Sequence, residues 1–122
     1  MSDLIDGDMF EPAPVEMREA DIQERCIDFA RKHGVYCRKF SSPANRSVPD
    51  YLQLWNGYQW FTEFKRPGKL PTRQQYEEHT AIRANGGIVW VCDDVDTYRA
   101  RLLWAMKVGS FMQIGHDDRG HC

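Results

Sequence analysis

Pro49-Asp50-Tyr51-Leu52-Gln53-Leu54-Trp55-Asn56-Gly57-Tyr58-Gln59-Trp60-Phe61-Thr62-Glu63-Phe64-Lys65 is two runs of strand-forming residues about an Asn-Gly pair. Asn-Gly favours the two-residue turn whose twist matches that of paired strands, so the stretch predicts an antiparallel hairpin. Side chains alternate faces along a strand, which puts Glu63 and Lys65 on one face and Trp60, Thr62 and Phe64 on the other. With Trp55 opposite Tyr58, the simplest register sets Asp50 opposite Glu63. Two carboxylates converging there repel, and a divalent cation such as Mg²⁺ or Mn²⁺ relieves the repulsion while taking further oxygens from water, phosphate and one backbone carbonyl. Phe64 can supply that carbonyl. An adjacent Lys65 can then stabilise charge on an attacked phosphate or orient the attacking water.

Outward from the hairpin, Ile22, Cys26, Phe29 and Ala30 carry the one-face spacing of an amphipathic helix over about 17–33, with Gly34 as its stop. Val35 to Phe40 predicts a strand ended by Ser41-Ser42-Pro43. Beyond the hairpin, Thr72 to Ala84 predicts a helix with Thr72 as N-cap and Asn85-Gly86-Gly87 as its end. The unbroken apolar run Ile88 to Cys92 suits a strand buried on both faces. Val95 to about Lys107 predicts a last helix with Tyr98, Leu102, Leu103 and Met106 as its apolar side. The order α-β-β-β-α-β-α describes an α/β fold, a mixed sheet flanked by helices. The expected organisation is a flexible acidic lead-in over 1–15, one domain over 16–108 and a loose tail over 109–122.

A chain of 122 residues and 14.3 kDa supports one domain. No run approaches the ~18 apolar residues of a membrane span, and the acidic start lacks a signal peptide's basic and apolar regions, so a cytoplasmic protein is expected. Cys26, Cys37, Cys92 and Cys122 form neither a CxxC pair nor a dense framework, which predicts reduced, mostly buried thiols. The net charge of −2 hides a segregation: residues 1–24 sum to −7, residues 25–75 to +7 and residues 76–122 to −2. A basic middle can hold phosphates because screening makes attraction local.

Pro49-Asp50 followed after a hairpin by Glu63-Phe64-Lys65 resembles the PD-(D/E)XK nuclease superfamily. Further residues look like its VRR-NUC family over about 19–103: Glu19 with Ile22-Gln23 on the first helix, Glu63 to Leu70, Gln74 just into the next helix, and Asn85-Gly86-Gly87 before an apolar strand. The resemblance implies a restriction-endonuclease-like αβββαβ core that hydrolyses DNA phosphodiesters with Mg²⁺ or Mn²⁺, here in the stand-alone form often found in phages, which would act in the bacterial host cytoplasm. It implies Asp50, Glu63 and the Phe64 carbonyl as metal ligands, Lys65 as the catalytic lysine, Gln74 as an active-site residue and Glu19 as the first-helix acid near the metal. Two departures bear on substrate approach. The loop Asn45-Arg46-Ser47-Val48 lacks the glycine often found before the PD pair, and Tyr51 stands where a smaller or aliphatic residue is common.

Helix geometry separates the two first-helix glutamates. At about 100° per residue, Glu19 lies within roughly 40° of the apolar face and Glu24 points almost opposite. Arg46, Arg66, Lys69 and Arg73 are the candidate DNA contacts. The four histidines share no metal-ligand spacing, Asp93-Asp94-Asp96 suits a helix cap, and the four tryptophans suit core or interface. The expected activity is a metal-dependent endonuclease, structure-selective for branched DNA such as flaps or four-way junctions. The alternatives are a DNA-binding or assembly module of the same fold without catalysis, and an RNA-directed or toxin-like nuclease. A module that had lost catalysis would usually lack an acid or the lysine, and Asp50, Glu63 and Lys65 are all present. A homodimer is expected, because one centre on a small domain engages few phosphates and a second copy would set two centres against two strands.

Overall fold

A computed structural model of the chain describes residues 17–112. The expected lead-in over 1–15 and the tail beyond 112 lie outside the described residues. The elements are α1 (Glu19–Lys32), β1 (Tyr36–Lys39), β2 (Tyr51–Trp55), β3 (Tyr58–Phe64), α2 (Arg73–Ala84), β4 (Val89–Cys92) and α3 (Val95–Val108). The four strands form one sheet in the order β1-β2-β3-β4, antiparallel except for the parallel pair β3–β4. This is the α/β mixed sheet expected. Parallel pairing of β3 with β4 requires the chain to cross over between them, and α2 makes that crossover.

The hairpin forms in the predicted register, Trp55 opposite Tyr58 through to Tyr51 opposite Thr62. Asn56 and Gly57 both take positive φ, 49° and 86°, the backbone demanded by a turn that follows the strand twist. All four residues of β4 are buried, because helices cover both of its faces. On one face α1 and α3 pack over Trp60, Phe64, Trp90 and Cys92 to make the main core. On the other face α2 lies over Glu63 and buries His79. Gly87 lets the chain turn back tightly from α2, since a Cβ there would collide with the Ile82 side chain and meet its carbonyl oxygen at 3.0 Å.

The main core contains a closed polar network around Gln53. Gln53 Oε1 accepts from Trp60 Nε1 at 3.0 Å and from the Thr62 hydroxyl, while Nε2 donates to the Tyr98 hydroxyl at 2.7 Å and to Cys37 Sγ at 3.3 Å. Four buried groups from three elements are satisfied by one amide on β2, which ties β1, β2, β3 and α3 together.

Three expectations are corrected. Leu103 is 46% exposed and Trp104 51%, whereas Val95, Tyr98, Leu102 and Ala105 are buried, so the inward face of α3 is one position away from that expected of Leu103. Phe111, in the segment expected to be loose, is buried: its ring stacks on Trp60 at 4.3 Å and its carbonyl accepts from Trp90 Nε1 at 3.0 Å. Cys26 and Cys37 are free buried thiols as expected, but Cys92 is disulfide-bonded. Without a CxxC pair or a dense cysteine framework, the sequence carries no spacing signature of that bond.

Replacing Gln53 by Leu keeps the volume but leaves the Trp60, Thr62 and Tyr98 groups without their partner. A loss of about 2–5 kcal/mol of stability is expected in urea unfolding. A loss below about 0.5 kcal/mol would show the network to be dispensable.

Candidate active site

The hairpin register, continued one step past Tyr51–Thr62, sets Asp50 across from Glu63, where the strand ends meet α2. The Phe64 backbone N–H donates to Asp50 Oδ2 at 2.7 Å, which fixes the carboxyl against β3. In extended backbone the N–H and C=O of one residue point to the same side, so the Phe64 carbonyl also lies on the Asp50 side. Glu63 is 2% exposed and Lys65 4%. The Lys65 ammonium stands 3.5 Å from Glu63 Oε2.

Both carboxyls are pushed upward. Burial raises Glu63 most, the Asp50 charge adds to it and Glu19 contributes, against the opposing pull of Lys65, and the carboxyl reaches about 8. Burial raises Asp50 as well, opposed by the Phe64 N–H and by Lys39 and Lys65. Glu63 Oε1 is buried with no hydrogen-bond partner. A buried carboxyl with an unpartnered oxygen, facing a half-buried one that it repels, is a donor set that a hard divalent cation fits. Among the described residues no three His, Cys, Asp or Glu side chains come together as a ready-made metal cage. A cation held there would draw on the two carboxylates and the Phe64 carbonyl.

Of the two glutamines at the start of α2, the structure brings Gln75 to the site and leaves Gln74 exposed at the groove beside it. Gln75 Nε2 donates to Glu63 Oε2 at 3.0 Å, and its Oε1 accepts from the Lys65 ammonium at 2.6 Å. The same Oε1 accepts from the Thr72 backbone N–H at 2.9 Å, and the Gln75 N–H donates to the Thr72 hydroxyl at 3.2 Å. This is a capping box, so Gln75 is fixed by the start of its helix before it reaches the site. The Thr-x-x-Gln spacing of Thr72 and Gln75 was the available sequence signal.

Glu19 is exposed at the start of α1, and its charge is felt by both Asp50 and Glu63. Arg46 sits between two grooves, one of about 520 Å³ bounded by Thr72, Gln74 and Gln75, the other of about 370 Å³ bounded by Lys39, Phe40 and Asp50. Lys39, a cation not singled out from the sequence, therefore borders the carboxylates. Its ammonium reaches Gln23 Oε1 at 3.4 Å and lies over the Tyr51 ring. Arg66 and Lys69 are exposed in the turn after β3, which is anchored by the Gly68 N–H donating to Asp93 Oδ2 at 2.9 Å. Arg73 is exposed and paired with Glu77 at 3.2 Å.

No family model matches the chain. It is 42% identical over 81 residues to "Putative nuclease p44" of Acyrthosiphon pisum secondary endosymbiont phage 1, an alignment covering 66% of this chain and 87% of that one. A solved structure described as a VRR_NUC domain superposes with a TM-score of 0.64 at 26% identity, covering 70% of this chain and 94% of that one. The chain belongs to the VRR-NUC nuclease family. Its restriction-endonuclease-like fold and its membership of a nuclease family agree with what the hairpin motif implied. Among the described residues of this VRR-NUC chain no helix is long and apolar enough to cross a membrane.

The buried titratable groups set a pH dependence of stability. Glu63 is raised from 4.5 to about 8, so the folded state holds its proton longer than the unfolded chain, and stability declines as pH rises through that window. His79, buried and lowered from 6.5 to about 4, acts in the opposite sense: stability is lost as pH falls below 6.5. The two slopes oppose each other between about 4.5 and 6.5, and above 6.5 that of Glu63 is uncompensated. Without divalent cations, urea unfolding should lose about 2 kcal/mol between pH 6.5 and 8. Glu63→Gln should flatten that decline; an unchanged slope would contradict the raised carboxyl.

Proposed function

We propose that the chain is a divalent-metal-dependent DNA endonuclease, selective for branched DNA such as flaps or four-way junctions. The observation that carries this reading is the pairing of half-buried Asp50 with buried Glu63, whose Oε1 is unpartnered, set beside a lysine that Gln75 holds in place. Asp50, Glu63 and the Phe64 carbonyl would hold Mg²⁺ or Mn²⁺, and Glu19 adds negative potential at the rim. The bound metal supplies Lewis acidity towards a phosphoryl oxygen and makes water a stronger nucleophile.

The remaining work falls to the chain's own groups. Lys65 offers a buried ammonium to the charge that grows on the attacked phosphate, in surroundings where few water molecules screen it. Gln75 sets the position of Lys65 and Glu63 together, so one amide keeps their spacing constant. Gln74 lines the neighbouring groove, within reach of a substrate on the Arg46 side. Arg46, Arg66, Lys69 and Arg73 are exposed cations on the loops and helix start around the centre and suit contacts to flanking phosphates.

A twofold homodimer fits the same reading. Leu103, Trp104 and Val108 leave an apolar patch on the outer face of α3, away from the carboxylates, that a second copy could cover. Such a dimer would place two centres on one substrate. A bacterial host cytoplasm, with its Mg²⁺ and DNA, is the matching setting for a phage-type enzyme.

Asp50→Asn, Glu63→Gln and Lys65→Ala should each reduce cleavage by roughly a thousandfold or more, and the two acid changes should also weaken Mn²⁺ binding in calorimetry. Lys65→Ala should leave Mn²⁺ affinity nearly intact, since an ammonium is not a ligand. Normal cutting by Glu63→Gln, or no cutting by the wild type on single-stranded, duplex, flap and junction DNA with either metal, would refute the assignment. Light scattering at micromolar concentration should give twice 14.3 kDa, and a mass near that of one chain both free and DNA-bound would refute the dimer alone.

A further inference from the structure

The sheet face that carries Glu63 is only partly covered by α2. Side chains alternate along β1 so that Cys37 enters the main core, which places Phe40 on the opposite face, the one shared by Phe61 and Glu63. The Phe40 backbone N–H donates to the Asp50 carbonyl at 2.8 Å, and Asp50 stands across from Glu63. Phe40, Asp50 and Glu63 therefore form one cross-strand row, with an aromatic ring directly beside the carboxylates.

That ring is not absorbed by the core. Phe40 is 37% exposed and lines the same groove as Lys39, Arg46 and Asp50. Its underside rests on Phe61, with ring centroids 5.4 Å apart and planes tilted by 45°, which fixes its orientation. Phe61 continues into an apolar recess of about 210 Å³ floored by Leu52 and walled by Gly86, Gly87 and Ile88. The surface next to the scissile position thus changes from cationic to aromatic and apolar within one residue.

We infer that Phe40, backed by Phe61, is a stacking platform for a nucleobase from an unpaired stretch of the substrate next to the cleaved phosphate. The inference rests on the nuclease reading and narrows its substrate class. Cations track phosphates while an exposed ring offers a face to any base, a combination typical of sites for single-stranded nucleic acid. A base inside a duplex is already stacked on both faces and has none to offer, so the platform selects substrates with an unpaired nucleotide at that point: a flap, an overhang or an opened junction. Charge favours this occupant over a second protein copy, because the groove that holds the ring also holds Lys39, Arg46 and the Asp50 carboxylate.

The test places 2-aminopurine at unpaired positions of a duplex with a single-stranded overhang and measures binding to the full chain in Ca²⁺. Stacking on Phe40 should quench the fluorescence. Phe40→Leu, which keeps apolar bulk but has no ring face, should abolish the quench and weaken overhang binding roughly tenfold. Phe40→Trp should retain both, and far-UV circular dichroism with thermal unfolding confirms that each variant is folded. No quench with the wild type, or an undiminished quench with folded Phe40→Leu, overturns the inference. So does a halved mass of Phe40→Leu in light scattering, which would mark this face as a contact between copies. Quenching by a protein that cuts no DNA with Mg²⁺ or Mn²⁺ would support the platform while refuting the nuclease assignment.

Discussion

The structure depends on keeping two carboxyls facing each other, Glu63 out of water and Asp50 half-buried at the edge of a groove. Burial and mutual repulsion both oppose ionisation there, which is why Glu63 sits near 8. Such a pair persists only where the surroundings are rigid and partly compensating. The Phe64 N–H and the Lys65 ammonium provide the compensation, and the two-residue turn of the hairpin provides the rigidity. The polar cluster is thus a local source of instability that the rest of the domain must offset by packing.

Two glutamines, one on each face of the sheet, organise that balance. Gln53 closes the hydrogen bonds of Trp60, Thr62 and Tyr98 inside the main core, on the side of the sheet away from the carboxyls. Gln75 does the equivalent on the α2 side, but with charged partners and with Glu63 Oε1 left open. One face is finished as a folding element and the other remains available for chemistry. His79, one helical turn after Gln75, is also buried with neither ring nitrogen partnered, so unsatisfied polar groups gather on the α2 side of the sheet.

The face that carries the carboxylates is also where coverage of the sheet is least complete. Helices α1 and α3 bury the opposite face with Trp60, Trp90 and the returning Phe111, whereas Phe40 and Phe61 remain at the margin beside the carboxylates. A domain of this size has enough apolar surface to close one face well. Leaving the second face partly open sets an aromatic surface beside a charged one, the contrast on which the proposed preference for an unpaired strand rests.

Local rules were enough for much of this. Asn56-Gly57 determined the turn, the turn determined the register, and a period of two then set Asp50 opposite Glu63 and turned Lys65 to the same side; each step spans few residues and depends on backbone geometry alone. The apolar run at Val89–Cys92 likewise identified a strand covered on both faces. The tertiary structure decided what depends on how elements meet. Gln74 and Gln75 are neighbours on one helical turn, and the rotation of α2 against β3, with the Thr72 capping box, puts Gln75 rather than Gln74 on Glu63. Leu103 became exposed because α3 packs by the Tyr98–Leu102–Ala105 line. Phe111 is buried because a gap between Trp60 and Trp90 accepts a ring, and no local pattern in a sequence records a gap formed by distant strands.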